Sequence, residues 1–129
     1  DLLGRPYAIE GDVVAGAGRG RRLGFPTANI ASPNEIVPRG VFLTVLRFGG
    51  AAHPSVTNVG LRPTFDRPRL VVETHILDWK GDLYGLPVEL EFLSRLRSER
   101  AFSGAEALTA QIRHDVAAAR RFFGRRPPL

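Results

Sequence analysis

Cysteine and methionine are both absent from the 129 residues. Without cysteine there can be no disulfide, no thiolate nucleophile and no thiolate zinc site. Without methionine, residue 1 is not an initiator, so the expectation is a chain processed or cut from something longer. No apolar run approaches the roughly 18 residues of a membrane span; the best candidate, Val41 to Leu46, is closed off by Arg47. No basic-then-apolar signal segment opens the chain, and the expectation is a cytoplasmic protein with no membrane partner. His53, His75 and His114 are scattered, with no pair at helical spacing, so no histidine zinc site is expected. The serine-hydrolase elbow Gly-x-Ser-x-Gly is missing. The Walker phosphate loop is missing too, because Lys80 is followed by Gly81. Glu89 and Glu91 share a strand face, but nothing sets a second carboxylate across a cleft from them, as a glycosidase needs.

What is present describes one folded domain. The length suits a single core and is too short for two. Hydrophobic residues make up 43% and charged residues 24%, ordinary for a globular chain. The net charge is +5, and Lys80 is the only lysine among 18 basic residues. The excess lies wholly in residues 94–129, where eight arginines face Glu99, Glu106 and Asp115. Two readings stay open from composition, a basic solvated tail and an anion or nucleic-acid surface.

The first four fifths read as strands and turns. Strand patterns cover Tyr7 to Val14, Val41 to Phe48, Ser55 to Val59 and Leu70 to Leu77, and Val88, Leu90 and Phe92 alternate with Glu89 and Glu91. Pro and Gly punctuate the junctions. No helical pattern intervenes, so the expectation is an antiparallel barrel or sandwich. The last fifth changes period. Ala105, Leu108, Ile112, Val116, Ala119 and Phe123 form a helical stripe over about 104–123. Ser103 and Glu106 have capping-box spacing, and Gly124 with Pro127-Pro128 ends the pattern.

One loop invites chemistry. Between Gly16 and Gly24 lie four glycines and the arginines Arg19, Arg21 and Arg22, with no acid among them. Such a backbone can turn N–H groups toward an anion, and the composition suits a polyphosphate or an ordinary flexible connector. Pro26 pushes Phe25 into an extended conformation. If the chain stays extended, Thr27 and Asn29 point to one side with Ala28 opposite. These two neutral oxygens would suit Mg²⁺ on a nucleotide, which keeps much of its shell from phosphates and water. They could equally serve to hydrogen-bond the loop. Glu73 lies mid-strand, sharing a face with His75 against Val72, Thr74 and Ile76. It reads either as a general base at a barrel opening or as a solvated, salt-bridged glutamate.

Together these residues carry a resemblance. Gly18-Arg19-Gly20-Arg21 with Leu23-Gly24-Phe25-Pro26-Thr27-Ala28-Asn29 resembles the signature of riboflavin kinases. Asn58-Val59-Gly60-Leu61-Arg62-Pro63-Thr64-Phe65, Glu73-Thr74-His75-Ile76, Asp82-Leu83-Tyr84-Gly85 and Leu96-Arg97-Ser98-Glu99-Arg100-Ala101-Phe102 are similar to further motifs of the bacterial family, in order. Leu3-Gly4-Arg5-Pro6-Tyr7 resembles the start of this module in bifunctional FAD synthetases. The sequence departs from the family at Phe42, where many members have Tyr.

The resemblance implies one riboflavin kinase domain over residues 1–129: a small antiparallel Greek-key β-barrel with one C-terminal helix. It implies transfer of the ATP γ-phosphate to the ribityl 5′-hydroxyl of riboflavin, giving FMN. By the same resemblance, Glu73 takes the proton of the attacking hydroxyl and Thr27 and Asn29 ligate Mg²⁺. Gly16, Gly18, Arg19, Gly20, Arg21 and Gly24, with Pro26, belong to the loop that closes over the phosphates. Arg97 belongs to a mobile segment near flavin and phosphates. An N-terminal FMN adenylyltransferase domain is the expected fusion partner; its histidine-containing motif is absent, so this chain alone is not expected to make FAD. Two alternatives are a flavin-binding module without catalysis and a basic nucleic-acid-binding barrel.

Overall fold

The computed structural model describes residues 7–15, 24–31, 37–62 and 68–124. Among the described residues six strands precede one helix: β1 (Tyr7–Val14), β2 (Ala28–Ala31), β3 (Gly40–Phe48), β4 (Ala51–Arg62), β5 (Arg69–Ile76), β6 (Pro87–Arg97) and α1 (Ala105–Gly124). Every pairing is antiparallel, and the order β1-β2-β5-β4-β3-β6 closes on itself as a barrel. β3, β4 and β5 form a meander. β2 lies beside β5 and β6 beside β3, so the meander takes part in two overlapping Greek keys. The β3–β4 hairpin turns on Gly49 and Gly50, with φ of 58° and 77°, the backbone that a two-residue turn matched to strand twist requires.

Alternation builds two cores. Ile9, Val13, Ile30, Phe42, Leu46, Val59, Val72, Leu90 and Phe92 fill the barrel interior. Val41, Leu43, Val56 and Leu77 face outward and are covered by Val116 and Ala119 of α1. Thr44, Ser55, Thr57 and Thr74 are fully buried hydroxyls. They satisfy one another in a chain, Ser55–Thr44 at 2.7 Å, then Thr44–Thr57 and Thr57–Thr74 at 2.8 Å each.

The sequence expectations need four amendments. β2 is a strand of its own. β4 runs well beyond Ser55 to Val59, because Pro54 does not end it. The Pro54 carbonyl takes the Leu77 N–H at 3.0 Å, so its missing donor faces the β5 side. Ladder pairing there stops at Ser55–Ile76, and the β3 side loses nothing. The helix begins one residue later than the capping-box spacing requires: the Gly104 carbonyl accepts the Leu108 N–H at 3.1 Å. Ser103 thus stands outside the cap position. Finally, Ala105 is exposed and Leu108 and Ile112 are half-buried, so the buried part of the stripe is centred on Val116 and Ala119.

Candidate active site

Gly24 opens the site segment with φ of 89°, a left-handed turn that glycine takes without strain. Phe25 then packs on the outer core, edge-on to His75 with ring centroids 5.7 Å apart. His75 Nδ1 lies 2.8 Å from the Pro26 carbonyl, which it meets as a donor. β5 therefore holds the Phe25–Thr27 stretch in place, and the chain continues extended into β2. Ala28 packs toward the barrel core and Asn29 takes the outer face, as alternation requires.

Strand register then brings distant residues into one row. Asn29 on β2 opposes Glu73 on β5. Glu73 opposes Asn58 on β4. Asn58 opposes Val41 on β3, and Val41 opposes Arg97 on β6. Directly opposed side chains share a face with Cβ atoms about 4.5–5.5 Å apart. The row Asn29–Glu73–Asn58–Val41–Arg97 thus crosses five strands on the face that α1 partly covers.

Ion pairs anchor this row at Glu73 and at Arg97. Arg62 Nη2 lies 3.4 Å from Glu73 Oε1, and its Nη1 donates to Glu99 Oε2 at 2.8 Å. Gly60 makes room for Glu99: a Cβ there would collide with that carboxylate. At the far end of the row Arg97 grips Asp115 of α1 with Nε at 3.0 Å and Nη2 at 2.9 Å. Gln111 Nε2 adds a third donor at 2.9 Å. Asp115 is buried inside the apolar side of the helix, where an unpaired carboxylate would be costly.

Two hollows meet at Thr27, which lines both. The larger, about 470 Å³, is bordered by Val13, Pro26, Asn29, Thr74, Trp79, Lys80 and Tyr84, among others. The smaller, about 90 Å³, lies between α1 and the barrel, with Phe25, Val41, Val56, Leu108, Ile112 and Val116 as apolar walls and Asn58, Glu73 and Arg97 as polar ones. Among the described residues no group of three or more His, Asp or Glu could hold a metal unaided. A cation at Thr27 and Asn29 would have two neutral protein oxygens at most, which fits Mg²⁺ carried by a nucleotide's phosphates. The arrangement sets polar groups around the larger hollow and mostly apolar walls around the smaller one, which Glu73 also lines.

Of the site residues expected from sequence, Pro26, Thr27, Asn29 and Glu73 lie together, with Gly24 leading into them. Arg97 is at the far end of the row, ion-paired to the helix. Gly16, Gly18, Arg19, Gly20 and Arg21 lie outside the described residues. Phe42, the departure from the family pattern, is fully buried and edge-on to Phe92 at 5.1 Å. Sequence reasoning overlooked Arg62, Asn58, His75 and Asp115. Arg62, Asn58 and His75 sit inside motifs already quoted, and Asp115 was visible as an acid between Ile112 and Val116 in an apolar stripe.

Comparison with known proteins bears on the family and the fold. A family model described as riboflavin kinase (flavokinase) matches residues 3–123. The chain is 42% identical over 129 residues to the bifunctional riboflavin kinase/FMN adenylyltransferase of Escherichia coli K12, covering 98% of this chain and 41% of that protein. It thus spans about two fifths of the length of the curated relatives it matches. Among solved structures, a Streptococcus pneumoniae chain named as a macrolide-efflux protein superposes with a TM-score of 0.82 at 31% identity, covering 92% of this chain and 40% of that one. Riboflavin kinase from Trypanosoma brucei superposes with a TM-score of 0.65 at 26% identity, covering 94% of this chain and 82% of that one. With a family match across nearly the whole chain and a barrel of the same architecture, this chain belongs to the riboflavin kinase family.

Proposed function

We propose that this domain phosphorylates riboflavin with ATP, giving FMN and ADP. The observation that carries the reading is Glu73 standing directly opposite Asn29, at the seam where Thr27 joins the two hollows. ATP occupies the larger hollow, with its phosphates toward Thr27 and Asn29. The flavin ring takes the apolar one. The oxygen of the 5′-hydroxyl attacks the γ-phosphorus, the bond to the β–γ bridging oxygen breaks, and ADP departs with that electron pair. Glu73 accepts the hydroxyl proton, and Arg62 orients its carboxylate. Bound Mg²⁺ would supply charge neutralisation on the phosphates, held by Thr27 and Asn29. The protein's own contribution is mainly positioning, as phosphoryl transfer demands.

The smaller hollow must widen to take a flavin, because ligand sites run to about 300–1,000 Å³. The contact that has to yield is α1 against the barrel, and the Arg97–Asp115 pair lies there. No described helix is long and apolar enough to cross a membrane, and we place the enzyme in the cytoplasm. We further propose that it works fused to an FMN adenylyltransferase domain, as its bacterial relatives are named. The test is FMN formation from riboflavin, ATP and Mg²⁺ by this chain, with one ADP per FMN; a chain that binds flavin without forming FMN is a binding module only.

A further inference from the structure

Asn58 Oδ1 is buried and has no hydrogen-bond partner among the described residues. Folded proteins leave few such acceptors, since an unmatched one destabilises the fold. This one borders the smaller hollow. It is one interstrand step from Glu73 on one side and one step from Val41 on the other. On the reading given above, the row therefore follows the substrate in order. The phosphate end is at Asn29, the attacked hydroxyl is at Glu73, and the apolar ring is over Val41 and Val56. Between hydroxyl and ring runs the polyol chain, and Asn58 is the polar group beside it. The chain's internal hydroxyls are donors, and they lie within a few carbons of the terminal one, a span comparable to the interstrand step of about 4.5–5.5 Å.

We propose that Asn58 determines specificity for the polyol chain, its amide oxygen accepting a hydrogen bond from an internal hydroxyl of the acceptor substrate. This rests on the riboflavin kinase reading. A purely structural asparagine would have its partners within the protein. An acceptor kept unpaired until substrate arrives is a stability cost that a binding role accounts for.

The test compares riboflavin with a flavin whose side chain is 5-hydroxypentyl, which keeps the terminal hydroxyl and lacks the internal ones. Binding of each is followed by quenching of flavin fluorescence, and phosphorylation is followed separately. The intact domain should prefer riboflavin, and Asn58→Leu, of similar shape, should reduce that preference about tenfold, the scale of one lost hydrogen bond with its orphaned partner. Its thermal midpoint should equal or exceed that of the parent chain. Asn58→Ala gives the same comparison if the leucine variant does not fold. An unchanged preference in the folded variants overturns the proposal, as does absence of any preference in the parent chain. If the preference collapses as expected but the parent chain makes no FMN, the role of Asn58 stands and the kinase reading falls. Failure to bind either flavin overturns both.

Discussion

Glu73 and Asn29 are 44 positions apart in sequence order and adjacent in space only because β2 pairs with β5. Each was legible as a candidate from its local pattern, but their adjacency was not, since register between non-consecutive strands is decided by the whole sheet. The ion pair expected for a mid-strand glutamate is present as well, through Arg62. That pairing leaves room for the proposed catalytic role, because Glu73 also lines the smaller hollow. Glu73→Gln should keep the fold and flavin binding while slowing FMN formation about 10²–10⁴-fold, the size of a general-base contribution. A steady-state rate near that of the parent chain would remove Glu73 from the mechanism. For Thr27 and Asn29, replacing both by Ala should weaken binding of Mg²⁺-nucleotide more than binding of riboflavin. Equal losses in calorimetric titrations would make these two residues scaffold rather than ligands.

At the scale of elements, strands with strict alternation were readable and short or interrupted ones were not. β1 and β5 match their sequence patterns within a residue. β2 has four residues and follows a proline, too little for a period to register. β4 hid half its length behind Pro54 and Gly60. The helix was evident from its stripe, yet which face packs hardest was not. Leu108, Ile112 and Val116 all border the smaller hollow, but only Val116, with Ala119, is buried against the barrel. Val116→Asp should therefore cost more stability in urea unfolding than Ile112→Asp. Asp115→Ala should cost stability near the lower end of the roughly 3–5 kcal/mol typical of a broken buried pair, because Arg97 retains some exposure. At the far end of α1, Arg120 donates to Asp78 at 2.7 Å. That hydrogen bond holds the Asp78 carboxyl below its usual range. A depressed carboxylate stabilises the fold above its unfolded pKa, and the contribution disappears as pH falls through the folded value. Both side chains are largely exposed, so Arg120→Gln should leave the neutral-pH melting temperature and FMN formation almost unchanged.

The whole molecule is a barrel whose proposed site reaches both sides of its wall: the interior residues Val13 and Thr74 border the larger hollow, and Val41 and Val56 of the outer face border the smaller one. Packed side chains and the hydroxyl chain from Ser55 to Thr74 fill the interior, and the two hollows meet at Thr27, within the Gly24–Asn29 segment. Composition placed the basic excess in the C-terminal part. The structure ties several of those arginines to protein partners: Arg97 to Asp115, Arg120 to Asp78 and Arg100 to Gln111. Those pairings use part of that charge within the fold. The central claim is that carboxylate and metal ligands at one seam transfer phosphate to riboflavin. It is tested most directly by supplying the isolated chain with riboflavin, ATP and Mg²⁺ and following the flavin products with time. The account predicts FMN in step with ADP, no FAD, and loss of the product in Glu73→Gln. FMN formed equally well by Glu73→Gln, or no FMN from the parent chain under any Mg²⁺ concentration, would contradict it.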